Sequence, residues 1–315
     1  MMDFMPIGTS SASIVHDRGL SSYVLKSNGD ILLFDCGDGT QFRLRKAKIR
    51  LNRIKAIFIS HLHGDHYLGL FGILVSMSLA RRTRPLFIIA PDELPHKIHA
   101  VLGIHGEVLD FPIEYINLEE NFECDEVFSD HHIRVTAHSL DHGIFCVGYR
   151  VEKMDQHRID GKLAHRLGVT EPEEFQKLSM GQMIQLSDGQ MISPDQVTKN
   201  QKIIFVYVSD TRPCQGAIEL AEDADLMVHE ATFSQVDNKR ALATGHATAL
   251  DAATVAKTAG AKKLLLTHFS ARYPDVTILE NEARTVFPDS EIAEEFRIYP
   301  MTSHLQNPPI DSLHE

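Results

Sequence analysis

Close cysteine pairs are missing from this chain. Its four cysteines, Cys36, Cys124, Cys146 and Cys214, are scattered through 315 residues. That spacing argues against a disulfide scaffold and suits a reducing cytosol, with each thiol expected as a small buried apolar group. No apolar run reaches the ~18 residues a membrane span needs. The longest apolar stretch, Leu68 to Ala80, is interrupted by Gly69, Gly72, Ser76 and Ser78. The opening Met-Met-Asp-Phe-Met lacks a basic segment leading into an apolar core, so no export signal is expected. Internal repeats and low-complexity tracts are lacking too. Acidic residues are absent from Thr40 to His63, although the net charge is −12.

What is present suits a globular enzyme. Hydrophobic residues make up 43% of the chain, enough for a real core, and the length allows one large domain or two ordinary ones. The acid-free stretch carries Arg43, Arg45, Lys46, Lys48, Arg50, Arg53 and Lys55, and Arg81, Arg82 and Arg84 form a second basic cluster. Such a surface could hold a phosphate backbone or could be an ordinary solvated face. Tyr23–Lys26 and Ile31–Phe34 read as a hairpin turned at Asn28-Gly29. Strands are expected at 54–59, 86–90, 133–138, 147–151, 203–208, 226–228 and 263–267, with helices at 41–48, 67–80 and 249–259. The pattern is mixed α/β with hairpins, not regular βαβ repetition. Residues 152–200 are polar, rich in Gln, Met and Lys, with a small turn near Asp188-Gly189, and read as a projecting insert.

Residues 61–66 read His-Leu-His-Gly-Asp-His, directly after the apolar run Ile57-Phe58-Ile59-Ser60. Imidazole and carboxylate are ligands that a borderline metal such as zinc takes. In a strand-like turn His61 and His63 face one way and can share an ion. Asp65 and His66 lie beyond Gly64 and can turn toward a second. A structural zinc site would favour cysteine and close all four positions, whereas paired metals point to hydrolysis. Further ligands are expected from strand ends at Asp141-His142-Gly143, Ser209-Asp210-Thr211 and Thr267-His268-Phe269, with His138 competing with His142. Asp210 is the natural bridge, because a carboxylate has one oxygen for each ion.

The order of these segments resembles the metallo-β-lactamase superfamily and, within it, the ribonuclease Z family of tRNA 3′-processing endonucleases. Asp35-Cys36-Gly37-Asp38-Gly39-Thr40-Gln41, the His loop, His229-Glu230-Ala231-Thr232-Phe233, Gly245-His246-Ala247-Thr248 and Thr267-His268-Phe269-Ser270-Ala271-Arg272-Tyr273 carry the likeness, which extends from about Ile7 to about Ile298. The resemblance implies an α/β fold, the αβ/βα four-layer sandwich, as a single domain over 1–315 with a flexible arm at about 152–200. It implies two zinc ions per subunit, or manganese on the same ligands. His61, His63 and His142 would hold one, Asp65, His66 and His268 the other, with Asp210 between them. Asp65 would also accept a proton from the attacking water, and His246, oriented by Glu230, would protonate the leaving 3′-oxygen. Arg18, Lys177, Leu178 and Arg272 would touch substrate. Precursor tRNA, a homodimer and a cytoplasmic location complete the expectation.

The sequence departs from the family's pattern twice. Glu171-Pro172 stands in the arm where Gly-Pro is usual, although Gly161, Gly168, Lys177-Leu178 and Gly181 fit. The Pro-x-Lys-x-Arg-Asn loop appears as Ile14-Val15-His16-Asp17-Arg18-Gly19, so the loop that discriminates the CCA end differs. Competing readings are another hydrolase on the same fold, such as a small-molecule phosphodiesterase, thioesterase or lactonase, and a metal-stabilised protein that binds RNA without cutting it.

Overall fold

The computed structural model describes residues 2–15, 17–103, 109–153, 159–197 and 202–301. Strands β1 (Met2–Gly8), β2 (Ser22–Ser27), β3 (Asp30–Phe34), β4 (Ile54–Phe58), β5 (Leu86–Pro91) and β6 (Ile113–Leu118) belong to a first sheet. Strands β7 (Cys124–Ser129), β8 (Ile133–Ser139) and β9 (Val147–Lys153) begin a second, and β10 (Ile184–Gln185) and β11 (Met191–Ile192) form a separate hairpin. Strands β12 (Ile203–Val208), β13 (Leu226–Glu230), β14 (Leu264–Thr267) and β15 (Ser290–Ile292) complete the second sheet, and β16 (Tyr299–Met301) returns to the first. The orders are β16-β1-β2-β3-β4-β5-β6 and β15-β14-β13-β12-β9-β8-β7.

Alternation along the strands explains the layers, because successive side chains face opposite sides of a sheet. Leu32 and Phe34 face the space between the sheets, while Ile31 and Leu33 face an outer helical layer. In the second sheet Phe205 and Tyr207 face inward, and Ile204, Val206 and Val208 pack against the other helical layer. The central seam is aromatic: the Phe34 and Phe58 rings stack at 4.9 Å, and Tyr149 meets Phe58 at 5.2 Å. Two sheets buried on both faces between helices make an α/β sandwich of four layers.

Local chemistry sets the details. Asn28 (φ 49°) and Gly29 (φ 85°) supply the two left-handed residues that a tight hairpin turn needs. The helix expected across 67–80 is divided into Gly64–Tyr67 and Leu70–Leu79. At the division Gly69 donates its N–H to Cys36 O at 2.8 Å, and a Cβ there would lie 2.1 Å from Gly37 O. That close approach anchors the His loop to the end of β3. Strands β1, β6, β7, β15 and β16 were not expected from the sequence.

The insert folds on itself. Helices Gly161–Arg166 and Pro172–Ser179, the β10–β11 hairpin and the turn Pro194–Val197 enclose a small core of Ala164, Val169, Leu178, Ile184, Leu186, Ile192 and Val197. Residues 154–158 and 198–200 of the expected 152–200 segment lie outside the described residues. Glu171 has a local role: it caps the second helix, its side chain accepting from the backbone while Glu174 reciprocates, and Pro172 takes the first helical turn. Cys124 is exposed on the edge strand β7, a correction to the expectation that every cysteine is buried, since an edge strand lacks cover on its outer side.

Parts of both basic clusters are tied into the fold. Lys55 pairs with Asp30 (3.4 Å) and Asp130, Arg84 with Asp30 (3.1 Å), and Arg43 with Glu295. Arg82 is buried and donates to the carbonyls of Arg84 (2.8 Å) and Pro85 (2.7 Å).

Candidate metal centre and active site

Strands β3 to β6 run parallel, as do β12 to β15. Parallel strands present their C-terminal ends along one rim, where open α/β sheets gather polar groups. Asp35 follows β3, the His loop β4, Asp210 β12, Glu230 ends β13 and His268 follows β14. His142 arrives from the connection between β8 and β9. The structure brings His61, His63, His142 and Asp210 into one group and Asp65, His66 and His268 into another, each with its candidate ligand atoms within 4.8 Å of one another. His138 instead faces Glu219, at 3.1 Å.

The histidines are held in a definite sense. Nδ1 of His66 faces Asp35 Oδ2 (2.7 Å), that of His61 Ser60 Oγ (3.0 Å), that of His142 Gly245 O (2.7 Å), and that of His268 Thr232 Oγ1 (2.8 Å). With Nδ1 committed outward, Nε2 of each is left for the cluster, the arrangement by which outer partners orient metal-binding imidazoles. His61 Nε2 and His142 Nε2 lie 3.0 and 3.2 Å from His63 Nδ1, and His66 Nε2 lies 3.3 Å from His268 Nε2. Asp210 reaches both groups: Oδ2 is 3.7 Å from His61 Nε2 and 3.4 Å from His66 Nε2, and Oδ1 is 3.3 Å from His268 Nε2.

These residues fit a pair of metal ions. Tetrahedral bonds of ~2.0–2.1 Å separate neighbouring ligand atoms by roughly 3.3 Å, close to the spacings above. Asp210 Oδ1 is buried with no hydrogen-bond partner among the described residues, a costly state for a carboxylate oxygen unless a cation compensates it. The electrostatics of the first group agree. Burial holds His61 well below its ordinary pKa, helped by His66, and also lowers His63 and His142, leaving them as neutral ligands. Burial opposes charge on His66 as well, but Asp210, Asp35 and Asp65 together raise it well above its usual value. Burial also works against the charge of Asp210 and Asp65, and the surrounding histidines more than offset it, so both stay low.

Beside the cluster lies a second constellation. Glu230, fully buried, accepts from Thr211 N–H (2.9 Å), Thr232 N–H (3.1 Å) and Thr232 Oγ1–H (2.6 Å), and its Oε1 lies 2.9 Å from His246 Nδ1. Burial disfavours a charged His246, yet Glu230 by charge and hydrogen bond, then Asp210, lift it to about 9. His246 Nδ1 is 3.9 Å from Asp210 Oδ2. His63, Asp65, Asp210, His246 and His268 all line a cleft of about 530 Å³.

Two residues essential to this geometry had no role assigned from sequence. Asp35 accepts from Ser60 N–H (2.8 Å), Ser60 Oγ–H (2.9 Å), His66 Nδ1–H and the buried Tyr207 hydroxyl. Its backbone is left-handed (φ 52°), as is that of His268 (φ 58°), and such strain persists only where neighbours fix it. A signal existed: a carboxylate directly after Ile31-Leu32-Leu33-Phe34 must be buried and so must be partnered. Thr232 joins the two constellations, its hydroxyl donating to Glu230 and accepting from His268.

The expected substrate contacts have mixed placements. Leu178 is fully buried, packed into the arm's core on the apolar side of its helix. Lys177 is exposed. Arg18 donates to the carbonyl of Tyr273 (3.1 Å), and Arg272 pairs with Asp237 (3.2 Å) over the Phe233 ring.

Two sheets between helical layers, with a His/Asp cluster on the strand rim, define a metal-dependent hydrolase of the metallo-β-lactamase fold. The chain superposes on the short form of human tRNase Z with a TM-score of 0.70 and 28% identity, covering 96% of this chain and 100% of that one. It is 43% identical to a ribonuclease Z of Salinibacter ruber over 98% of this chain and 97% of the relative. A ribonuclease BN of Erwinia tasmaniensis is 37% identical, with 93% and 98% covered. Residues 2–287 match the family model described as Anti-Pycsar protein Apyc1. The chain therefore belongs to the ribonuclease Z family and to the family described by that model, as a metal-dependent phosphodiesterase. Among the described residues no helix is long and apolar enough to cross a membrane.

Proposed function

We propose that this protein is a two-zinc endoribonuclease that removes the 3′ trailer from precursor tRNA, leaving a 3′-hydroxyl on the tRNA and a 5′-phosphate on the trailer. The observation that carries the reading is the Glu230–His246 pair set beside Asp210, because an RNA leaving oxygen needs a proton and this pair can supply one. The names of the relatives support the same substrate. Zinc bound at the cluster would polarise the phosphodiester and lower the pKa of water toward neutrality. Asp65 serves as ligand and accepts the proton of the attacking water. His246, its Nδ1 held by Glu230, gives the Nε2 proton to the leaving 3′-oxygen. Manganese suits the same His/Asp donors. A cytoplasmic homodimer, with the 152–200 arm gripping the tRNA away from the metals, completes the proposal.

A second reading, a phosphodiesterase for small molecules, is favoured by the cleft of about 530 Å³, a size that suits a small ligand. One assay separates the readings: incubation with a 3′-extended precursor tRNA, a small phosphodiester and a thioester, with and without chelator, followed by mapping of RNA ends. Cleavage at the tRNA 3′ end that disappears with chelator and returns with zinc is the expected result. An intact precursor beside rapid turnover of the small diester would establish the second reading instead.

Deleting residues 155–195 should weaken precursor binding by about tenfold or more, ~1.4 kcal/mol. Hydrolysis of bis(p-nitrophenyl) phosphate should persist, because the arm's core is separate from the three clusters of the body. Unchanged affinity for precursor, measured by filter binding, would contradict the role given to the arm.

A further inference from the structure

Ser11, Ala12 and Leu20, from the connection between β1 and β2, line the cleft. Ala12 donates its backbone N–H to Asp65 Oδ2 at 2.8 Å. Oδ2 is also the oxygen facing the second ligand group, 3.5 Å from His66 Nε2 and 3.6 Å from His268 Nε2. The orientation of Asp65 thus depends on a loop remote from it in sequence. Ala12 holds a left-handed backbone (φ 58°), strained for a non-glycine residue, so the segment must be fixed from outside.

Glu295 does the fixing. Its Oε1 accepts from Thr9 N–H (3.0 Å) and Gly19 N–H (2.9 Å), drawing both ends of the loop onto one atom. Oε2 pairs with Arg43 Nη2, and Arg43 Nε donates to Ile7 O at 2.6 Å, tying the same carboxylate to the end of β1. The pair is shielded, with side chains 12% and 14% exposed, so its bonds are charge-assisted and little screened. The loop also zips onto the segment bearing His268: Ser11 N–H reaches Phe269 O (3.0 Å), and Phe269 N–H reaches Thr9 O (2.8 Å).

We propose that Glu295 is a positioning residue for phosphodiester hydrolysis, tying Thr9 to Gly19 so that Ala12 N–H fixes Asp65. The inference rests on the role given to Asp65 above. Glu295→Ala should lower kcat on bis(p-nitrophenyl) phosphate about 10–100-fold with KM little changed and two metals retained, as for loss of an outer partner of a ligand. Glu295→Gln, whose amide oxygen can still accept from Thr9 and Gly19, should recover most of that loss. Hydrogen exchange should accelerate in residues 9–15 of the alanine variant and stay unchanged in β12–β14. A wild-type kcat in Glu295→Ala, or equal losses in the alanine and glutamine variants, would overturn the proposal. Should the alanine variant not fold, exchange in the intact enzyme decides: Thr9 and Gly19 amides as unprotected as free coil overturn it, and protected ones uphold it. Asp65→Asn separates the two layers of inference. If it keeps full turnover, the reading of Asp65 has failed; if it is dead while Glu295→Ala is normal, only the clamp has.

Discussion

His246→Ala should retain two metal ions per chain and lose about 10²–10⁴-fold in turnover of precursor RNA. The retained metals follow from geometry, since His246 Nδ1 is committed to Glu230 and the other histidines supply the inward nitrogens. Folding should survive as well. Glu230 Oε1 keeps the Thr211 N–H and Oε2 keeps both donors of Thr232, so neither oxygen is orphaned. The substrate gives a sharper test. A p-nitrophenolate leaves as a stable anion and needs no proton, so bis(p-nitrophenyl) phosphate should suffer far less than RNA. Equal losses on both substrates would assign His246 to binding or to the metals, and a metal count of one would make it a ligand beside Asp210 and His268.

Asp35→Ala should be the most damaging change outside the ligand set. It strips partners from Ser60 N–H, Ser60 Oγ–H, Tyr207 O–H and His66 Nδ1–H, all buried. Breaking a buried charged network by removing one partner costs roughly 3–5 kcal/mol. Freed of Asp35, the His66 ring also loses the constraint that aims Nε2 at the second ligand group, and metal affinity should fall about 10–100-fold. Asp35→Asn keeps the volume but places an amide N–H₂ among donors, so it should melt between wild type and Asp35→Ala while binding metal poorly. Thermal melts with and without added zinc, beside metal titration, check both. A wild-type melting temperature and wild-type zinc affinity in Asp35→Ala would show that the backbone bonds of His66 to His63 and Cys36 suffice to orient it.

Strands with apolar runs and clear punctuation were legible without coordinates. The 203–208 strand ran as expected because Ile-Ile-Phe-Val-Tyr-Val is buried on both faces and is followed by polar Ser209-Asp210. The first strand was missed because Met2–Gly8 contains Pro6 and alternates nothing, being buried almost throughout between β2 and β16. The arm's polar composition hid a seven-residue core, since few apolar positions suffice when two short helices and a hairpin close on one another. Glu171 looked unfavourable beside a phosphate backbone, yet it is spent locally as a helix cap.

Ligand chemistry was written in the residue types themselves: three imidazoles and a carboxylate within six positions, with His142, Asp210 and His268 each just past an expected strand. Residue type alone could not say which of His138 and His142 turns inward; His138 lies within β8 and faces Glu219, whereas His142 lies beyond it and is held by Gly245 O. Nor could sequence assign Asp35, Thr232 or Glu295, whose partners come from distant parts of the chain. The sequence by itself determined which donor side chains are available, because imidazole and carboxylate chemistry belongs to the residue type. The tertiary structure alone decided which nitrogen of each ring faces the cluster and what holds it there, because orientation depends on hydrogen bonds between segments that meet only when the two sheets close.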